Sequence, residues 1–321
     1  MTAILPLLLT NLLYSQNPLA TLSWSIHLIL YICFVVTMGS DLKKIIAPII
    51  TFSLLFQTVL AATQVYLGHS VGGVMYYLGE RMVSVGSPGI ALGSFMDQVV
   101  LRAYGTFSHP NVLAGWLFVS LLIILKLTPT KKLIIGNWIL LISTITTIVG
   151  VVLTQSRSAA LALFAIIIPF YLIKNLKYTL IYFAVIVSMT YYLPSLILPT
   201  RSDLSSSQRL TLQGLSLSVI KTYPIFGTGA QSSISTYPGI NSSVRLLQPD
   251  HNSFTLFLSW FGVFGLIGIL YSLRPTTYNL RSLLPILPLL LFDHYLLTSP
   301  QGMFILTIYL VVIRLSGKPT I

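Results

Sequence analysis

Apolar runs long enough to cross a bilayer recur along nearly the whole of this 321-residue chain, and no other feature limits its fold as tightly. A helix needs about 20 such residues to cross about 30 Å of hydrocarbon, where only helices and closed barrels satisfy their own backbone. Runs at 2–15, 19–39, 45–67, 110–127, 133–154, 157–173, 178–198, 252–273, 282–298 and 301–315 predict ten spans, the first and last short. Pro48 and Pro169 fall within them, which neighbouring helices can accommodate. Charged residues make up 7% of the chain and hydrophobic ones 55%, whereas soluble domains carry about 25% charged residues. The expected fold is therefore all-α: a polytopic bundle of about ten transmembrane helices forming one integral membrane domain, 1–321. Residues 1–14 lack the basic start and small-residue exit of a cleavable signal, so the first run is expected to stay as a span.

The net charge of +12 would suggest nucleic acid in a soluble protein, but the charges are distributed by topology. Lys43, Lys44, Lys126, Lys131, Lys132, Lys174, Lys177, Arg274, Arg281, Arg314 and Lys318 fall on alternate connections, with Asp41 as their only acid. This face is expected to be cytoplasmic, together with both termini. The opposite face holds Arg81, Arg102, Arg157, Arg201, Arg209, Arg245 and Lys221 against Glu80, Asp97, Asp203, Asp250 and Asp293. The inner face thus chooses Lys and the outer face Arg, a preference that the positive-inside rule does not explain. Pairing with the outer acids accounts for any single Arg. An anionic ligand accounts for the set, because a guanidinium binds phosphate or carboxylate bidentately.

Two long outer segments interrupt the spans, 68–109 and 199–251. The first is glycine-rich and is expected to contain short interfacial helices. In the second, Asp203 and Ser205 to Ser207 offer caps for an amphipathic helix near 207–222. Leu210, Leu215, Leu217, Val219 and Ile220 form its expected apolar face, and Pro224 ends it. The PIFGTGAQ stretch follows as a glycine-rich turn.

Within this frame, His251 beside Asp250 stands where the eighth span begins. It is either a general base at the water–membrane boundary or part of an ordinary helix start. Arg157 opens the sixth span at the outer interface, where it snorkels or meets an anion. Arg209 lies on the loop helix. His109, with Pro110 at the first turn, reads as a cap. Asp293 and His294 read as a structural polar cluster, and His27 as a buried hydrogen-bonding residue. The lone Cys33 excludes disulfides and Cys-based metal sites. There is no Walker loop, HExxH or DxD pair, and the scattered carboxylates suggest no divalent-metal ligand set.

Four segments in order resemble the O-antigen ligase and polymerase family of membrane glycosyltransferases: RAYGTFSHPNVLAG at 102–115, LTQSRSAALAL at 153–163, SQRLTLQGLSLSVIKTYPIFGTG at 207–229 and DHNSFTLFLSWFGVFGLIG at 250–268. The closing FDHYLLTSPQG at 292–302 is also similar to shorter members. The resemblance implies a GT-C type enzyme of the cytoplasmic (inner) membrane with an extracytoplasmic active site. It would move a glycan from a polyprenyl diphosphate carrier to a hydroxyl acceptor on a lipid, protein or wall glycan, without nucleotide sugar, other cofactor, nucleic acid or, for the ligases, metal. It matches Arg157 and Arg209 to the diphosphate-binding arginines and His251 to the acceptor-activating histidine; in the substitution this implies, Arg102 is expected to assist the arginines and Asp250 to orient His251. Members commonly carry further N-terminal spans. A polymerase of the same family and a lipid-linked glycan flippase remain alternatives; a flippase would be expected to place its cations along a central cavity.

Overall fold

The computed structural model describes residues 4–38, 42–95, 98–128, 138–163, 204–241, 247–272 and 280–316. The expected span at 178–198, most of that at 157–173, and Arg201, Asp203 and Arg245 lie outside these described residues. The described chain is mostly helical. Four helices are long and apolar enough to cross a membrane: Pro18–Met38, Ile45–Leu67, Pro110–Leu127 and Ser253–Tyr271. Ile4–Leu13, Trp138–Thr154 and Pro300–Arg314 are shorter apolar helices. Each of these seven falls on an expected run.

Two expectations change. Residues 282–298 do not form one helix. They fold as α10 (Leu280–Leu283), a 3₁₀ turn (Leu284–Ile286), α11 (Leu287–Phe292) and α12 (Tyr295–Thr298). Pro285 and Pro288 each remove a helical donor, and Asp293 adopts extended backbone (φ −152°, ψ 157°). The fold is also not purely α, because β1 (Leu92–Phe95) and β2 (Gln98–Leu101) pair antiparallel within residues 68–109. The strand formers Val99 and Val100 were hidden in a stretch that reads as glycine-rich loop.

The chain divides into two compact units. One comprises 35–174 and 304–321 and contains α3 (Leu42–Leu67), α4 (Val74–Tyr77), the hairpin, α5 (Pro110–Leu127) and α6 (Trp138–Thr154). α3, α5 and α6 pack together through small and hydroxylated residues, as lipid-solvated helices must when no hydrophobic effect drives them together. Thr51 and Ser143 share a hydrogen bond (2.9 Å), and the Thr58 hydroxyl donates to the Thr146 carbonyl (3.1 Å). A Cβ on Gly150 would come within 2.5 Å of Leu117. The 68–109 segment is anchored by buried Glu80, whose carboxylate accepts from Gln64 Nε2 and the amides of Val71 and Gly72.

The other unit comprises 1–34 and 175–303. It holds α1 (Ile4–Leu13), the first part of α2 (Pro18–Met38), α7 (Leu204–Thr222), α8 (Ser233–Ile240), α9 (Ser253–Ser272), the broken segment α10–α12 and the start of α13 (Pro300–Ser316). Its core joins Leu8, Trp24, Ala230, Leu256, Trp260, Phe261 and Met303. α7 is the predicted loop helix, but its buried face is Leu212, Leu215, Ser216 and Val219, while Leu210 and Leu217 are exposed. Only the former set follows the three-and-four spacing of a single helical face.

α9 is kinked at Gly262 (φ 59°, ψ −162°), and the glycine loop after α7 docks into the kink. The amides of Thr228 and Gly229 donate to the carbonyls of Ser259 and Trp260, and those of Val263 and Phe264 donate to Pro224 and Ile225. Asn11 closes the junction, donating to the Trp260 carbonyl and accepting from the Ala230 amide. A helix interrupted at membrane depth must find such substitutes for its lost bonds.

Candidate functional site

Asp250, His251 and Asn252 form the entrance to α9, and their neighbours decide their roles. Asn252 is the cap, its Oδ1 accepting from the amides of Phe254 and Thr255. Asp250 is 1% exposed. Its carboxylate accepts from the Asn252 amide and the Thr255 hydroxyl, and burial raises its pKa, partly offset by these bonds and by Ser216. It therefore braces the start of α9 and has no hydrogen bond to the His251 ring.

The carboxylate facing His251 belongs to Asp293. Its Oδ1 lies 3.6 Å from His251 Nδ1, a buried nitrogen with no hydrogen-bond partner among the described residues. The break between α11 and α12 turns Asp293 and His294 toward this histidine. The Ser253 hydroxyl pins the break to α9 by donating to the Asp293 carbonyl (2.7 Å). The rings of His251 and His294 are 5.0 Å apart, and His294 Nδ1 shares a hydrogen bond with the Thr298 hydroxyl (2.7 Å). α7 brings in Arg209, whose Nη1 reaches the carbonyl of Phe292 at 3.5 Å. Burial alone would raise the Asp293 pKa. His251, His294 and Arg209 outweigh it and hold the carboxyl below its usual range. Tyr295 Oη is buried beside this acid with no hydrogen-bond partner.

This unit thus gathers Arg209, His251 and His294 around Asp293; the sequence reads Asp293 and His294 as structural. The signal was the second Asp–His pair; what hid its relation to His251 was the assumption of a continuous ninth span. The side chains of His251, Asp293 and His294 place ligand atoms within 4.8 Å of one another, so the described residues do gather a set with the residue types of a metal site, contrary to the expectation drawn from scattered carboxylates.

Arg102 and Arg157 belong to the other unit. Arg102 Nε donates to the Thr154 carbonyl and Nη2 to Asn111 Oδ1, both at 2.7 Å, tying the end of α6 to the start of α5. Arg157 is exposed and opens the helical residues 157–163, just beyond Gln155 in a left-handed conformation (φ 50°). His109 is the predicted cap, its Nδ1 accepting from the Asn111 amide.

Four apolar helices of spanning length, with an imidazole–carboxylate–guanidinium cluster where the entrance to α9 meets the break between the short helices α11 and α12, are the features of a membrane protein with a polar candidate site. The O-antigen ligase family model (Wzy_C) matches residues 142–270. This match, which contains Arg157, Arg209, Asp250 and His251, supports membership of the O-antigen ligase family. No curated protein matches the chain.

Proposed function

We propose that the protein is a membrane glycosyltransferase that moves a glycan from a polyprenyl diphosphate carrier to a hydroxyl acceptor at the extracytoplasmic face of the cytoplasmic membrane. The observation that supports this reading best is the meeting of His251, Asp293 and Arg209 in one unit. His251 Nε2 takes the proton of the acceptor hydroxyl as its oxygen forms a bond to the anomeric carbon. The bond from that carbon to the phosphate oxygen breaks, and the carrier diphosphate leaves with the electron pair. With Nδ1 protonated and facing Asp293, the ring presents Nε2 as the acceptor, and the carboxylate stabilises the imidazolium that forms. Arg209 stabilises the charge that grows on the leaving diphosphate. The family resemblance assigns the same duty to Arg157, and Arg102 is expected to assist it. The orienting role expected of Asp250 passes to Asp293 in this scheme, since Asp250 is engaged at the entrance to α9.

The chemistry needs no metal, although the His251, Asp293 and His294 set makes that claim worth testing by chelation. Purified protein in proteoliposomes, given a polyprenyl diphosphate glycan and candidate hydroxyl acceptors, should release carrier diphosphate as the acceptor is glycosylated. A lengthening ladder on the carrier would identify a polymerase instead, and lipid movement without bond cleavage a flippase.

A further inference from the structure

A cavity of about 270 Å³ opens within the same unit as the candidate site. Ser23, Trp24 and His27 line it from one face of α2, together with Gln231, Thr298 and Met303. Positions 23, 24 and 27 fall on one side of a helix by their spacing. On the proposed topology α2 enters from the outer face at Pro18, so His27 lies about 14 Å along the helix from that face. The polar lining has a definite chemical bias. His27 Nδ1–H donates to the Ser23 carbonyl, which leaves Nε2 as a bare acceptor. Gln231 spends its amide Nε2–H on the Thr298 carbonyl (2.9 Å), which leaves Oε1 as an acceptor. Neither atom, nor the Ser23 hydroxyl, has a hydrogen-bond partner among the described residues. Trp24 is locked by its Nε1–H on the Leu297 carbonyl. Gln231 is itself held in a left-handed backbone conformation (φ 63°), which a non-glycine residue adopts at a cost and which tends to occur at binding and catalytic sites.

Acceptor atoms beside a fixed indole, with no cation in the lining, repel a phosphate and would be wasted on an isoprenoid chain. They suit a neutral molecule rich in O–H donors with an apolar face. The link to chemistry runs through Thr298, whose hydroxyl binds His294 Nδ1, and the His294 ring lies 5.0 Å from that of His251.

We infer that this cavity is the subsite for a sugar ring of the acceptor, linked through Thr298 and His294 to the base that removes the acceptor proton. The assignment rests on the glycosyl-transfer reading above, although the occupancy of the cavity by a sugar can be tested without it. Trp24, His27, Thr298 and Met303 all lie outside the matched residues 142–270, so acceptor choice would be written in the parts of the chain beyond the family domain.

Two measurements on the full chain separate the possibilities. First, methyl glycosides of a neutral hexose, a 6-deoxyhexose and an N-acetylhexosamine are titrated against tryptophan fluorescence in nanodiscs, with inorganic pyrophosphate as comparison. At least one glycoside should give a saturable change that is lost in Trp24→Phe and weakened in Ser23→Ala/His27→Leu. A change with pyrophosphate alone, or with none of the probes, overturns the assignment whatever reaction the protein catalyses. Second, in the transfer assay Ser23→Ala/His27→Leu and Gln231→Asn should raise the acceptor KM about five- to tenfold, the weight of one or two hydrogen bonds, with the donor KM moving less. A rise in donor KM instead would place the donor glycan here and overturn the proposal. If the unaltered protein binds glycosides but transfers nothing, the transfer reading fails while the sugar site stands.

Discussion

At the residue scale, the two acids beside the histidines do different work. Asp293 faces His251, so Asp293→Asn should lower kcat by about 10²-fold, as expected when a general base loses its orienting partner. Asp250→Asn should act mainly on stability. Their effects on stability with pH have opposite signs. Asp293 has a folded pKa below its unfolded one, so its contribution is complete above the ordinary carboxylate range and is lost as pH falls through the depressed value. Asp250 has a raised folded pKa, so its ionised form costs the fold, and that cost disappears on acidification through the raised value. Thermal melts in detergent from neutral pH to about pH 3 should show the unaltered protein losing stability relative to Asp293→Asn and gaining relative to Asp250→Asn. Parallel curves would contradict both assignments. His251 was legible as a titratable residue at the start of a long apolar run, and Arg209 through the bias of its face toward Arg and the family resemblance. The neighbour of His251 was not legible, since adjacency in sequence pointed to Asp250 while adjacency in space is set by a helix break that turns Asp293 toward it.

At the scale of elements, spanning helices could be read directly, because a long apolar run has few alternatives in lipid. What failed was the inference that every run is one helix: 282–298 carries two prolines and an Asp–His pair, and it folds in pieces. The docking of the glycine loop into the α9 kink was equally hidden, because it depends on backbone surfaces and leaves no hydrophobic period. It makes a sharp prediction. Gly227 sits at φ 71°, and a Cβ there would come within 2.4 Å of the Trp260 backbone, which cannot turn aside. Gly227→Ala should therefore destabilise this unit by about 2–4 kcal/mol. Asn11→Ala, which strands the Ala230 amide and removes one of two donors to the Trp260 carbonyl, should cost about 1–3 kcal/mol. Denaturant or thermal unfolding in detergent checks both, and wild-type stability in either variant would mean that the loop does not support the kink.

At the scale of the whole molecule, charge placement leads to an expected orientation with an arginine-rich outer face, and the family match supports a glycan-processing role in the membrane. Metal dependence was not legible, because the ligand types that structure gathers at 251, 293 and 294 are scattered in sequence. Transfer should survive dialysis against a strong chelator with less than a twofold change, since proton removal and charge stabilisation are assigned to side chains. Loss of activity restored by zinc would move His251, Asp293 and His294 from base and partners to ligands. The central claim is that His251 activates the acceptor. Its most direct test is acceptor-coupled release of carrier diphosphate by purified His251→Ala in proteoliposomes, with insertion and folding matched to the unaltered protein. The account predicts a fall of about 10²- to 10⁴-fold, the usual contribution of a general base. Turnover within a few fold of the unaltered protein would contradict it.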